Sequence, residues 1–120
     1  LANNPETEGM LNGKLFETML PNATFINTGR GAQVVEQDLI EALKAEQGRT
    51  AVLDVTFPEP VRKDSELLQL PNVFLTPHIS GSLNEEVVRM AQYMVDELDR
   101  YLQGEPLQFE IHMEDLATLG

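Results

Sequence analysis

The sequence has no cysteine, so it can build neither a disulfide framework nor a thiolate metal site, a composition compatible with a reducing, cytoplasmic compartment. Basic residues are scarce. Lys and Arg number 8 against 20 Asp and Glu, a net charge of -12, which repels phosphate backbones and anionic lipid, so neither nucleic acid nor a membrane surface is expected as a partner. No apolar run approaches the roughly 18 residues of a membrane-spanning helix, and no signal-like start is visible. The only histidines are His78 and His112; they do not form a metal-spaced pair, and no metal site is expected. Walker-type and GxSxG motifs are also absent. Gly29-Arg30-Gly31 begins like a dinucleotide fingerprint, but Val34 stands where the third glycine belongs and Arg30 is bulky where a phosphate turn needs a small residue. Those glycines are expected instead to let the backbone turn sharply and pass close to a bound ring.

What is present is a chain of 120 residues, 42% of them hydrophobic, enough for one compact domain. Asn12 is placed to cap a short helical turn carrying Leu15, Phe16 and Met19, which Pro21 stops. ATFIN (23–27), TAVLDV (50–55) and the VFLT of residues 73–76 read as buried strands. Val35, Leu39, Ile40 and Leu43 recur at helical spacing between the first two strands, with Gly48 as a stop, and DSELLQL provides a turn or two before the third. Ser82 and Glu85 have capping-box spacing at the head of a long helix expected to reach Gln103 and end at Gly104. Its broad stripe of Val87, Ala91, Met94, Leu98 and Tyr101 reads as core packing, with a partner-binding helix as the other reading. The tail suggests an extended segment around QFEIHM and a short helical end, with His112 at the surface or in packing.

Strand, helix, strand, turn, strand, long helix is the order of a parallel α/β sheet with right-handed crossovers. Parallel strands would bring Arg30, Asp54, Glu59 and His78 out at one sheet edge, the carboxyl edge where such folds bind ligands. Each residue type has a use there. An arginine grips a carboxylate through its planar donor fork, and a carboxylate beside a histidine orients the ring for proton transfer. Taken singly, each has an ordinary reading as a solvated loop residue or a turn former; convergence of three strand ends is what favours a site. Ser80 and Ser82 near His78 leave a hydrolase reading open, although neither sits in a nucleophile elbow.

The segments PETEGMLNGKLFETMLPNATFINTGRGAQVVEQDLIEAL, AVLDVTFPEP and LLQLPNVFLTPHISGS, in that order, resemble the D-isomer-specific 2-hydroxyacid dehydrogenases. The resemblance implies an α/β fold, the second half of a Rossmann-like, doubly wound parallel sheet with flanking helices. It also implies NAD as cofactor, with NADP open, and hydride transfer to or from a small 2-oxo or 2-hydroxy acid. Arg30 would bind the substrate carboxylate and carbonyl, His78 would exchange a proton with the substrate oxygen, and Glu59 would support His78. Asp54 would contact the nicotinamide carboxamide, with Thr28, Gly29 and Gly81 lining the nicotinamide side. DVTFPEP, with its small polar Thr56, leans toward the glycerate, hydroxypyruvate, glyoxylate and phosphoglycerate group.

Two features of the family do not precede Leu1: the glycine-rich phosphate loop and the first part of the substrate domain. The expectation is therefore a fragment, with residues 1–104 the C-terminal half of a cofactor domain and residues 105–120 a tail returning to the substrate domain. Alone it would be inactive. Its half sheet would favour a homodimer or other self-association. The other functional class is a cofactor-sensing, non-catalytic scaffold resembling the C-terminal-binding co-repressors.

Overall fold

Three short runs rich in Thr, Val and Phe form the strands β1 (Thr24–Asn27), β2 (Thr50–Leu53) and β3 (Val73–Leu75), hydrogen-bonded in that order. Both pairings are parallel, with Asn27 opposite Leu53 and Leu53 opposite Leu75, so the three strands end level. Parallel neighbours need a crossover. Helix α2 (Glu36–Ala45) supplies the first. An irregular segment with a single 3-10 turn, Glu66–Leu68, supplies the second, its start capped by the Ser65 hydroxyl accepting from Leu67 N. The strands stop earlier than the apolar runs suggest: Asp54 and Val55 already belong to the loop after β2.

In α2, Leu39, Ile40 and Leu43 share the buried face, and Glu36 and Asp38 in the first turn with Lys44 in the last suit the helix dipole. These three side chains pack with Phe16, Ala51, Leu53 and Leu67 into one core. Phe16 arrives on α1 (Gly13–Phe16), a single turn capped by the Asn12 side chain accepting from Lys14 N. Asp38 in α2 accepts from Gly13 N at 2.6 Å, which fixes α1 to α2 and lets Phe16 meet Phe25 edge-on at 5.2 Å. Because strand side chains alternate, Ile26, Val52 and Phe74 form a row across the opposite sheet face, where Ile26 and Phe74 are exposed.

The computed structural model describes residues 2–119, and these form two compact units, residues 2–80 and Gly81–Leu119. The second unit contains α3 (Glu85–Gln103), which ends as expected on Gly104 in the left-handed conformation, φ 71°. Its start differs from expectation. Asn84, with φ 50°, occupies the N-cap without a side-chain cap bond, so Glu85 is the first helical residue and cannot close a box with Ser82. No residue of α3 is buried, and Val87, Met94, Leu98 and Tyr101 are exposed rather than forming core.

The QFEIHM stretch is not a strand. Glu97 accepts from Gln108 N and Phe109 N and bends the backbone there, with Phe109 against Tyr93 at 5.8 Å. A 3-10 turn, Asp115–Ala117, provides the short helical end, and exposed His112 donates its backbone N–H to Asp115. The units part between Ser80 and Gly81, and residue 104, the last of the expected partial cofactor domain, is the C-cap of α3. No helix among the described residues is long and apolar enough to cross a membrane.

Candidate functional site

Because β1, β2 and β3 are parallel and end level, the residues after Asn27, Leu53 and Leu75 emerge at one sheet edge. The loop after β1 is wrapped around a buried amide. Asn27 accepts from Gly29 N at 3.0 Å and donates its Nδ2–H to Arg30 O at 3.1 Å, an Asx-type turn that puts Thr28, Gly29 and Arg30 at the exposed rim. The guanidinium of Arg30 donates to Gly29 O at 2.9 Å. Among the described residues it forms no ion pair, which leaves most of its donor fork open.

Gly31 makes a close approach to the loop after β2. A Cβ there would stand 2.1 Å from the Thr56 carbonyl carbon and oxygen and 2.7 Å from Phe57 N. The glycine lets the β1 loop press on the backbone of the β2 loop. Gly29 is less crowded; its Cβ would meet Asn27 Oδ1 at 3.5 Å.

The β2 loop carries Asp54 at its base and Glu59 further out, Glu59 lying between the cis peptides Phe57–Pro58 and Glu59–Pro60. Glu59 Oε1 is 2.7 Å from His78 Nδ1. An ionised carboxylate only accepts hydrogen bonds, so Nδ1 carries the proton and Nε2 points away from Glu59, making no hydrogen bond among the described residues. Both side chains are nearly half exposed, at 46% and 42%. A concavity of about 520 Å³ lies beside Glu59, lined by Asp54, Glu59, Pro60, Val61, Thr76 and Pro77, a volume in the range of small-molecule sites.

His78 itself has φ 54°, in the left-handed region that a non-glycine residue seldom adopts. Its neighbours are held by Asp54. Thr76 Oγ1 and Ile79 N, the latter at 2.9 Å, donate to Asp54 Oδ1; Ser80 N at 2.8 Å and Ser80 Oγ at 2.5 Å donate to Oδ2. The Ser80 hydroxyl, followed by the Thr76 hydroxyl, holds the Asp54 carboxyl well below the usual carboxylate range, and the two backbone donors act the same way against the opposing effect of burial.

The structure thus joins Glu59 to His78 directly and Asp54 to the His78 loop. Arg30 emerges at the same edge but, among the described residues, forms no hydrogen bond or ion pair with Glu59 or His78. Gly81 opens the second unit, and a Cβ there would meet nothing within 4 Å. Asn27 and Thr76 are structural members of the site that the sequence did not point to, the Asn-x-Gly spacing at residues 27–29 being the available signal for the first, and Ser80, weighed from the sequence for a hydrolase, donates to Asp54. Among the described residues, no group of three His, Asp or Glu side chains could hold a metal ion.

Residues 1–80 match the family model described as "D-isomer specific 2-hydroxyacid dehydrogenase, NAD binding domain". The chain is 38% identical over 103 residues to a hydroxypyruvate reductase of Blautia hydrogenotrophica, covering 86% of this chain and 32% of that one. It is 46% identical over 99 residues to glyoxylate/hydroxypyruvate reductase B of Klebsiella pneumoniae, covering 82% and 31%. A crystal structure of a D-isomer specific 2-hydroxyacid dehydrogenase from Xanthobacter autotrophicus, in complex with NADPH and MES, superposes with a TM-score of 0.81 at 32% identity, over 95% of this chain and 36% of that one. The chain spans about a third of the length of the curated relatives it matches.

Proposed function

The chain belongs to the D-isomer specific 2-hydroxyacid dehydrogenase family, and from that premise we propose that, in a protein of its relatives' length, it carries the proton-transfer and carboxylate-binding groups of a glyoxylate or hydroxypyruvate type reductase. The observation that supports this most directly is the 2.7 Å contact of Glu59 with His78 at the carboxyl edge of the sheet. Glu59 holds Nδ1 and leaves Nε2 to give a proton to a developing alkoxide or to take one from an alcohol. Arg30, with its fork open, grips the carboxylate of a 2-oxo acid and polarises the adjacent carbonyl. The substrate class is favoured by the reductases to which the chain is similar.

The exposure of Thr28 and Gly29 at the sheet edge supports a nicotinamide cofactor bound there. NAD is the cofactor proposed, with NADP the other form. When bound, it would supply or accept the hydride. The 120-residue chain alone is proposed to be inactive, and its exposed apolar residues on α3 and on one sheet face support self-association.

The test is steady-state reduction of glyoxylate and hydroxypyruvate with NADH and NADPH by the full-length protein. His78→Ala is expected to lower kcat by about 100-fold or more with little change in KM. Near-normal turnover in that variant would remove His78 from the role.

A further inference from the structure

Asn27 ends β1 and is only 7% exposed. Its backbone is fixed in the sheet, Asn27 O accepting from Asp54 N at 2.9 Å. From that fixed point the side-chain amide reaches two groups of opposite kind in the next turn: Oδ1 accepts from Gly29 N at 3.0 Å, and Nδ2 donates to Arg30 O at 3.1 Å. A donor and an acceptor side by side satisfy both; an ionised carboxylate or a hydrocarbon of the same shape does not. Arg30 is thereby held twice. Its carbonyl is tied to Asn27 directly, in the extended conformation, φ -138° and ψ 135°, from which the side chain leaves. Its Nη1 rests at 2.9 Å on Gly29 O, and the N–H of that same glycine is the one Asn27 holds. A long side chain that is ordered only when a ligand arrives loses its rotamer freedom at that moment, and one ordered beforehand does not. From this geometry we propose that Asn27 is a positioning residue: its buried amide orders Arg30 in advance, so that the guanidinium fork meets the carboxylate of a 2-oxo acid already aimed.

The proposal rests on the reductase reading above, and one readout is independent of turnover. In the full-length protein labelled with ¹⁵N-arginine, the Arg30 Nε–H resonance, assigned by its loss in Arg30→Ala, reports the order of the guanidinium through its relaxation. Asn27→Ser keeps an acceptor for Gly29 N but is too short to reach Arg30 O, and Asn27→Ala keeps neither bond. Both should lower the Arg30 order parameter, Asn27→Ala further. In turnover, Asn27→Ser should lower kcat/KM for glyoxylate about tenfold, the effect of one lost hydrogen bond, with KM and kcat moving in the same directions as in Arg30→Ala. Inhibition by oxamate, a carboxylate joined to an unreactive amide carbonyl, should weaken by a similar factor. The dissociation constant for NADPH should change less than about twofold, because Gly29 is still held. In an Arg30→Ala background Asn27→Ser should have no further effect, which a general loss of structure would not reproduce. If Asn27→Ala does not fold, Asn27→Ser, which retains the turn bond, decides the matter.

An unchanged Arg30 order parameter in Asn27→Ser would overturn the proposal and leave the amide as a turn former. So would a tenfold loss that Asn27→Ser repeats in full in the Arg30→Ala background. A rise of about tenfold or more in the NADPH dissociation constant, with oxamate inhibition kept, would overturn it as well and assign the amide to the cofactor rim. Should the wild-type protein reduce neither glyoxylate nor hydroxypyruvate, the reductase reading fails, and the relaxation comparison still decides whether Asn27 orders Arg30.

Discussion

Replacing Gly31 by alanine puts a carbon where the structure has no room for one. The new Cβ would lie 2.1 Å from the Thr56 carbonyl and 2.7 Å from Phe57 N, whereas unstrained carbon contacts lie at about 3.5–4.0 Å. The obstacle is backbone on both sides, so the β1 and β2 loops must separate by more than about 1 Å. Overpacking of this kind costs about 1–3 kcal/mol or more, and both loops bear groups of the proposed site, Arg30 immediately before Gly31 and Glu59 three residues after Thr56. A displacement of about 1 Å at a reacting group lowers rate by about 100-fold. In the full-length protein, Gly31→Ala should therefore lower the denaturant midpoint at unchanged slope and reduce kcat/KM far more than the loss of stability alone would explain. A variant with a wild-type midpoint and wild-type kcat/KM would show that the loops separate freely and that the close approach has no consequence.

Arg30→Ala should raise KM for a 2-oxo acid and lower kcat together, because the carboxylate grip serves ground and transition states; a change in neither parameter would take Arg30 out of substrate binding. Asp54 makes a pH prediction. Its folded-state carboxyl is held below the unfolded value of about 3.9, so the unfolded chain binds the extra proton first and stability rises with pH. Its contribution is full above about pH 5 and fades as pH falls below about 4 toward the folded value. Acid titration of unfolding should show the gap between wild type and Asp54→Asn narrowing below about pH 4; a gap that is constant with pH would assign the stabilisation to packing.

The strands and α2 were legible because their patterns are local: alternating β-branched residues in TFIN and TAVL, and Leu39, Ile40 and Leu43 at helical spacing before a run that ends near Gly48. The level, parallel strand ends then account for the shared edge of Arg30, Asp54, Glu59 and His78. What was not legible depends on partners distant in sequence. Nothing near Asp54 shows what its carboxylate binds within the chain, because its donors come from residues 22 to 26 positions away. Gly31 likewise owes its identity to Thr56 and Phe57. The Ser82–Glu85 spacing suits a capping box only if the helix starts at residue 83, and the backbone at Asn84 delays it to Glu85. For α3, periodicity reveals a stripe but does not say what covers it, and within this chain no residue of the stripe is buried.

The order β1-β2-β3 acts as a ruler. Adjacent strands lie about 4.8 Å apart, so the roots of the Arg30 and His78 loops stand about 10 Å apart, farther than the proposed two- or three-carbon acid can bridge. Each arm must lean inward, and each leans on the middle strand's loop: the β1 arm through Gly31 against Thr56 and Phe57, the β3 arm through its four bonds to Asp54. The span of the gap is thereby set by one short segment, residues 54–57. A change in either outer loop moves a single jaw, while a change in that segment alters the gauge of both.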